Sequence, residues 1–257
     1  MKLPLYIALF LLIMGSNEPL MAQPRESALS KTRPAAVRFP EAGQRAVVID
    51  ETLSILRTRP SLYSESIQRM RRGRKVQIQA VAEADGVKFY RITAPPAASG
   101  WVQADAVFGK FRSNDEHRLA ALVQALSGFE QIEVAVQFFE IYPDSKLRPS
   151  ILLLFGDLLE EAAPRLSRDA LSRLSRKEMA ASGAPLHSYY LNFVSLDRYR
   201  RLGVRFLFNS GTRQYHYDGA SWREITTKYP SSPEAAEAEK RLDALRVKLG
   251  MAPSVTN

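Results

Sequence analysis

The sequence predicts a chain of two structural classes, mainly β and then all-α: a small β-barrel followed by an irregular array of antiparallel helix pairs. Three observations carry that expectation. Between Arg45 and Ser113, short β-type runs are punctuated by Gly73, Gly86, Gly100, Pro60, Pro95 and Pro96, as strands joined by tight turns are. From Asn114 onward, apolar residues recur at three- and four-residue intervals, which is the helical period. An internal echo, FFEIYPDS over 138–145 and ITTKYPSS over 225–232, repeats a helix end before a proline, the mark of stacked helical units.

Taken in order, Lys2 precedes an apolar run from Leu3 to Met14, broken by Pro4, and then the polar stretch Gly15, Ser16, Asn17, Glu18. A bilayer span needs about 20 apolar residues, and this run is shorter, as in the apolar region of a secretory signal. Residues 1–22 are therefore expected to be a signal peptide, with Ala22 before Gln23 the best cleavage position and a retained anchor as the alternative. Residues 23–44, rich in Pro, Ala, Arg and Ser and without periodicity, read as a flexible leader. Within 45–113 the expected strands are Ala46–Ile49, Leu53–Leu56, Val76–Val81, Val87–Ile92 and Trp101–Val107.

Residues 114–250 are expected to be helical. Leu119, Leu122, Val123 and Leu126 mark one face, Ser127 and Gly128 break it, and Phe129, Ile132, Ala135, Val136, Phe139 and Tyr142 continue a second face before Pro143. A further helix begins around Ile151–Phe155 after Pro149, whose fixed φ suits a first turn. Residues 165–205 are expected to hold two more helices. Ser232 and Pro233 suit the start of a last helix, whose stripe is Ala235, Ala238, Leu242, Leu245 and Leu249. Residues 251–257 read as a disordered tail.

The 257 residues are 46% hydrophobic and 25% charged, which excludes wholesale disorder. The absence of cysteine excludes a disulfide scaffold, a thiolate metal site and a thiol nucleophile; in an exported protein it fits a bacterial envelope, so the expected location is the periplasm or the exterior. The net charge of +9 makes acidic polymers and membrane surfaces candidate contacts. That charge is uneven: residues 45–113 carry 12 basic and 6 acidic side chains, residues 115–163 carry 3 and 9, and residues 165–205 carry 9 and 3. The acidic first hairpin has the basic barrel or the later basic helices to dock against, or each is equally a solvated face.

Little points to catalysis. His117, His187 and His216 are isolated, with no HExxH spacing, no GxSxG and no phosphate-cradling glycine loop. Glu160 and Glu161 fall on different helix faces and read as ordinary surface. No catalytic, metal or cofactor residue is nominated, and no enzyme activity is expected. The basic run Arg69, Arg71, Arg72, Arg74, Lys75 falls at a turn before Val76; an exported protein seldom meets nucleic acid, so none is expected as a partner. Candidate ligand-binding residues are Tyr63, Tyr90, Trp101, Arg71, Arg72 and Arg74. Strand positions predict burial for Tyr90 and Trp101, whereas Tyr63, in a loop after Pro60, is the better placed to meet a ligand.

The segments LSILRTRPSLYSESIQRMRRGRKVQI (53–78), VKFYRI (87–92) and GWVQADAV (100–107) together resemble the bacterial SH3-like (SH3b) family, with TAPPAAS over 93–99 departing from its usual tight hairpin. SGFEQIEVAVQFFEIYPDS (127–145) and YDGASWREITTKYPSSPEAAEAEKRL (217–242) resemble tetratricopeptide-like repeats of periplasmic adaptor proteins. The two resemblances imply a noncatalytic envelope adaptor: the barrel would bind peptidoglycan or a peptide, and the helices an envelope protein partner. Two alternatives stand beside it. One is a structural subunit whose barrel only packs against the helices; the other is a hydrolase with an unrecognised site. Oligomeric state is not legible.

Overall fold

The computed structural model describes residues 39–251. The expected signal peptide, most of the expected leader and all but Met251 of the expected tail lie outside those residues. The end of the leader expectation needs correction, because residues 39–44 are tied down. Gly43 N–H donates to the Ile78 carbonyl at 2.8 Å, Ile78 N–H donates to Gln44 at 2.9 Å, and Glu41 is buried beside Lys88 Nζ at 3.3 Å.

Among the described residues, an antiparallel seven-stranded sheet comes first and eight α-helices follow it. The strands are β1 (Arg45–Val48), β2 (Ile55–Arg57), β3 (Ser66–Arg69), β4 (Lys75–Ala84), β5 (Val87–Ala94), β6 (Ala98–Gln103) and β7 (Val107–Phe108), in the spatial order β3-β2-β6-β5-β4-β1-β7. A 3-10 turn, Ala104–Ala106, separates β6 from β7. Strand β3 was not expected, since SIQR carries one apolar residue, and that one, Ile67, is half exposed; only pairing with β2 makes it a strand. TAPPAAS forms the end of the β5–β6 hairpin. Thr93 pairs with Ser99 and Ala94 with Ala98, leaving a loop of Pro95, Pro96 and Ala97. Alternating residues of β4, β5 and β6 send Val76, Ile78, Tyr90, Ile92 and Val102 into one core with Val48, Leu56 and Met70, the period-two pattern of a half-buried sheet.

The helices are α1 (Asp115–Ala125), α2 (Gly128–Ile141), α3 (Arg148–Arg173), α4 (Arg176–Ser182), α5 (Leu186–Leu191), α6 (Asp197–Arg200), α7 (Ala220–Lys228) and α8 (Ala235–Lys248). Packing runs α1 on α2, α2 on α3, α3 on α7 and α7 on α8. The two echo segments adopt one backbone path. Tyr142 N–H donates to Phe138 at 2.9 Å and Tyr229 N–H to Ile225 at 2.8 Å; Ser145 and Ser232 then donate back to the two tyrosine carbonyls at 3.3 and 2.9 Å. The next helix starts six residues after each tyrosine, at Arg148 and Ala235. Ser232 belongs to this turn and not to a helix cap, for the residue preceding α8 is Glu234 and the Ser232 hydroxyl has no hydrogen-bond partner.

Helical periodicity does not persist to the end. A hairpin, β8 (Phe206–Asn209) and β9 (Gln214–Tyr217), lies between α6 and α7. Asn209 Oδ1 accepts from the N–H groups of Gly211 and Thr212, closing its turn. Nor does 165–205 hold two helices: α3 runs on to Arg173, and three short helices follow. The hairpin packs on α3, where Tyr215 N–H donates to the buried Ser167 hydroxyl at 2.8 Å. Glu160 of α3 is a second anchor and not surface. Its carboxylate lies 3.1 Å from His216 Nδ1 and 2.8 Å from Lys248 Nζ, and accepts from Tyr217 N–H at 2.9 Å. Burial opposes its ionisation, but these three donors outweigh that and hold its pKa below the usual carboxylate value.

Helices α3 and α7 meet at Gly156. A Cβ there would lie 2.6 Å from both Ser221 Oγ and Trp222 Cε2, and Trp222 is almost wholly buried. Gly156→Ala gains about 1 kcal/mol of helix propensity, yet overpacking against an immobile ring costs about 1–3 kcal/mol. Net destabilisation is expected in urea unfolding followed by circular dichroism; an unchanged or raised midpoint would mean that the indole moves aside freely.

Sheet and helices keep two core clusters, and the helical one reaches into the sheet region. Ile49 and Phe108 of the sheet region cluster with Leu119, Val134, Phe138 and Ile141 of the helices, and the described residues fall within one compact unit. The reason lies in α2, which is apolar on more than the expected face. Val134 and Phe138, outside that face, are fully buried, and Gln137 lies against Gly73 of the β3–β4 turn.

Candidate functional site at the seam of sheet and helices

Of the six residues singled out from sequence, the structure gathers few in one place. Tyr63 is 88% exposed at the tip of the β2–β3 hairpin, whose backbone is held to the β4–β5 turn by Asp85, which accepts from Ser61 Oγ and Leu62 N–H at 2.7 and 2.8 Å. Trp101 is half-buried, flanked across strands by Arg57 and Arg91. Tyr90 has no exposed surface at all, and burial pushes its hydroxyl up to about 12; it is core and is withdrawn as a ligand contact. Arg72 is likewise engaged internally. Its Nε donates to the Ile49 carbonyl at 2.8 Å, and its guanidinium meets Glu133 at 2.8 Å and Glu130 of α2. This is the docking of the acidic hairpin on a basic turn. Arg71 is exposed, and Arg74 donates to the Pro95 carbonyl at 2.9 Å.

A second joint lies at the start of α1. Asp115, without exposed surface, sits 2.7 Å from Arg112 Nε and 3.2 Å from Arg118 Nη1, and accepts from Gly109 N–H at 3.2 Å. Arg112 also donates to the Ala104 and Val107 carbonyls, and Arg118 reaches Asp105 at 2.8 Å. Tyr142, from the end of α2, donates its hydroxyl to the Gly109 carbonyl at 2.8 Å. Gly109 is therefore tied through both its N–H and its carbonyl, to Asp115 and to Tyr142.

Between these joints opens a cleft of about 1090 Å³. One wall is β1 with the residues before it, 43–47; another is the complete stretch Thr93–Ser99; Lys75–Gln77, Phe108–Lys110 and the last turn of α2, Glu140 and Ile141, close it. Ala46, Val76, Ala94, Phe108, Gly109 and Ile141 are the buried part of its lining. Arg45, Lys75, Lys110 and Glu140 are exposed around it, and none of the four makes an ion pair among the described residues. Sequence reasoning did not find this site. The one available signal was TAPPAAS, the stretch that departed from the family pattern, and all seven of its residues line the cleft.

The helices form a separate groove of about 940 Å³, with Phe129, Ile132, Ala162 and Leu166 along its floor and Arg165, Arg173, Arg198 and Arg201 on its sides. Arg198 lies over the Phe129 ring at 4.6 Å. Among the described residues, no group of three His, Cys, Asp or Glu is placed to hold a metal ion, and no helix is long and apolar enough to cross a membrane. His117 and His187 are exposed, and His216 is bound to Glu160. Comparison with family models, curated proteins and solved structures finds no match to this chain.

Proposed function

We propose that this chain is a noncatalytic adaptor of the bacterial envelope, exported to the periplasm or secreted, whose sheet region binds a cell-wall glycan or peptide and whose helices hold an envelope protein. The observation that carries the reading is the seam cleft: an open, partly apolar concavity rimmed by charged groups left without ionic partners, walled by a hairpin held in place by Arg74. The strand order supports the SH3-like part. A first strand pairs with the fourth and the last, a separate β2–β3 hairpin intervenes, and a 3-10 turn precedes the final strand. The matching backbone paths at Tyr142 and Tyr229 support the tetratricopeptide-like part, and the α2–α3–α6 groove gives the helices a concave face for a protein. The charged, apolar, polar order of residues 2–18 supports export.

Co-sedimentation of the purified chain with murein sacculi tests this. Retention on sacculi is expected, reduced by the double charge reversal Lys75→Glu, Lys110→Glu. Absence of retention would favour the second reading, a structural subunit whose sheet only packs against its helices; the shared core of Ile49 and Phe108 with the helices is what speaks for it.

A further inference from the structure

We infer that the seam cleft takes an extended, carboxylate-rich peptide, with acidic side chains met by Arg45, Lys75 and Lys110 and the main chain lying along the Thr93–Ser99 wall. This rests on the adaptor reading and narrows its ligand. Charge is the first ground. Three seam arginines have carboxylates, Arg72 with Glu133, and Arg112 and Arg118 with Asp115, and Arg74 is held by the Pro95 carbonyl; around the cleft the exposed cations Arg45, Lys75 and Lys110 are accompanied by the single carboxylate of Glu140. Electrostatic complementarity of this kind selects an anionic partner and speeds its encounter.

Shape is the second ground. Gly43, Ala46, Ala94, Ala97, Ala98 and Gly109 supply much of the lining, and small side chains let a main chain approach closely. The one aromatic residue among the lining residues, Phe108, is only 4% exposed, so the cleft offers no ring face on which a sugar could stack. Peptide therefore fits better than glycan. Self-occupancy by the chain's own leader is disfavoured, since residues 23–38 contain Arg25, Lys31, Arg33 and Arg38 against Glu26 alone.

The test uses the full chain and short fluorescein-labelled peptides of alternating Glu-Ala, Gln-Ala and Lys-Ala, read by fluorescence anisotropy. The Glu-Ala peptide is expected to bind about tenfold or more tighter than Gln-Ala, with the preference lost at about 0.5 M salt. Arg45→Glu, Lys75→Glu and Lys110→Glu should each weaken it several-fold, and Glu140→Gln should tighten it. Arg91→Glu reverses an exposed cation outside the cleft and should change nothing; thermal melts verify that all variants are folded. Equal affinity for Glu-Ala and Gln-Ala, or equal losses from Arg91→Glu and Lys75→Glu, would overturn the assignment, as would displacement of the peptide by a soluble cell-wall glycan. Sacculus binding without acidic-peptide binding would remove this inference and leave the adaptor reading. Acidic-peptide binding without sacculus retention would keep this inference and remove the cell-wall ligand from the adaptor reading.

Discussion

Asp115→Ala is expected to lower the stability of the whole unit by about 3–5 kcal/mol, the cost of breaking a buried ion pair from one side. The carboxylate has no exposed surface and holds Arg112, Arg118 and the Gly109 N–H at once. Without it, Arg112, largely buried, keeps the Ala104 and Val107 carbonyls and the rings of Tyr90, Phe108 and Phe111, and a guanidinium is left without a counter-charge where water is scarce. For a unit of this size the loss corresponds to a fall in Tm of roughly 6–20 °C. Asp115→Asn, which keeps volume and one acceptor, should fall between. Because Gly109 links the last strand to the first helix, one transition is expected in both variants, with strand and helix signals moving together. A loss below about 1 kcal/mol would place this cluster with ordinary surface ion pairs, and a split transition would mean that sheet and helices unfold separately.

Tyr142→Ala should be nearly as damaging, at about 3–5 kcal/mol for a buried aromatic, whereas Tyr229→Ala should cost clearly less. The Tyr142 ring is 8% exposed, packs on Phe138 at 5.7 Å between centroids, and gives its hydroxyl to the Gly109 carbonyl; burial, followed by the nearby Asp115 and Glu116 charges, raises that hydroxyl's pKa far above its ordinary value. Tyr229 is only half-buried at the edge of the helical core. Tyr142→Phe separates the contributions: losing the hydrogen bond alone should cost about 0.5–1.5 kcal/mol. Equal losses in the two alanine variants would show that the repeat places both rings in equivalent surroundings.

The tyrosine pair shows how far local sequence carries. YP followed by D or S and then Ser specifies the same helix end, turn and restart in both copies, because those features depend on backbone dihedrals and hydrogen bonds within a few residues. It says nothing about neighbours. The first copy lies against the sheet and the second near the C-terminal edge, so one ring is sealed and the other is not.

By itself, then, the sequence determined what is local: β before α, the Gly73 turn with its basic flank, the β4–β5–β6 meander, the faces of α1 and α8, and the acidic charge of the first hairpin. These follow from period, turn chemistry and charge, which act over a few residues. Only the tertiary structure decided the rest. SIQR became a strand because β2 lay beside it, and FLFN and QYHY became a hairpin because α3 offered Ser167 and Glu160 to their backbone. Tyr90 and Arg72 left the list of ligand contacts because packing buried the one and ion pairing bound the other. The cleft is assembled from five separated stretches of chain, and its unpaired cations are visible only once the side chains that could have neutralised them have been placed elsewhere.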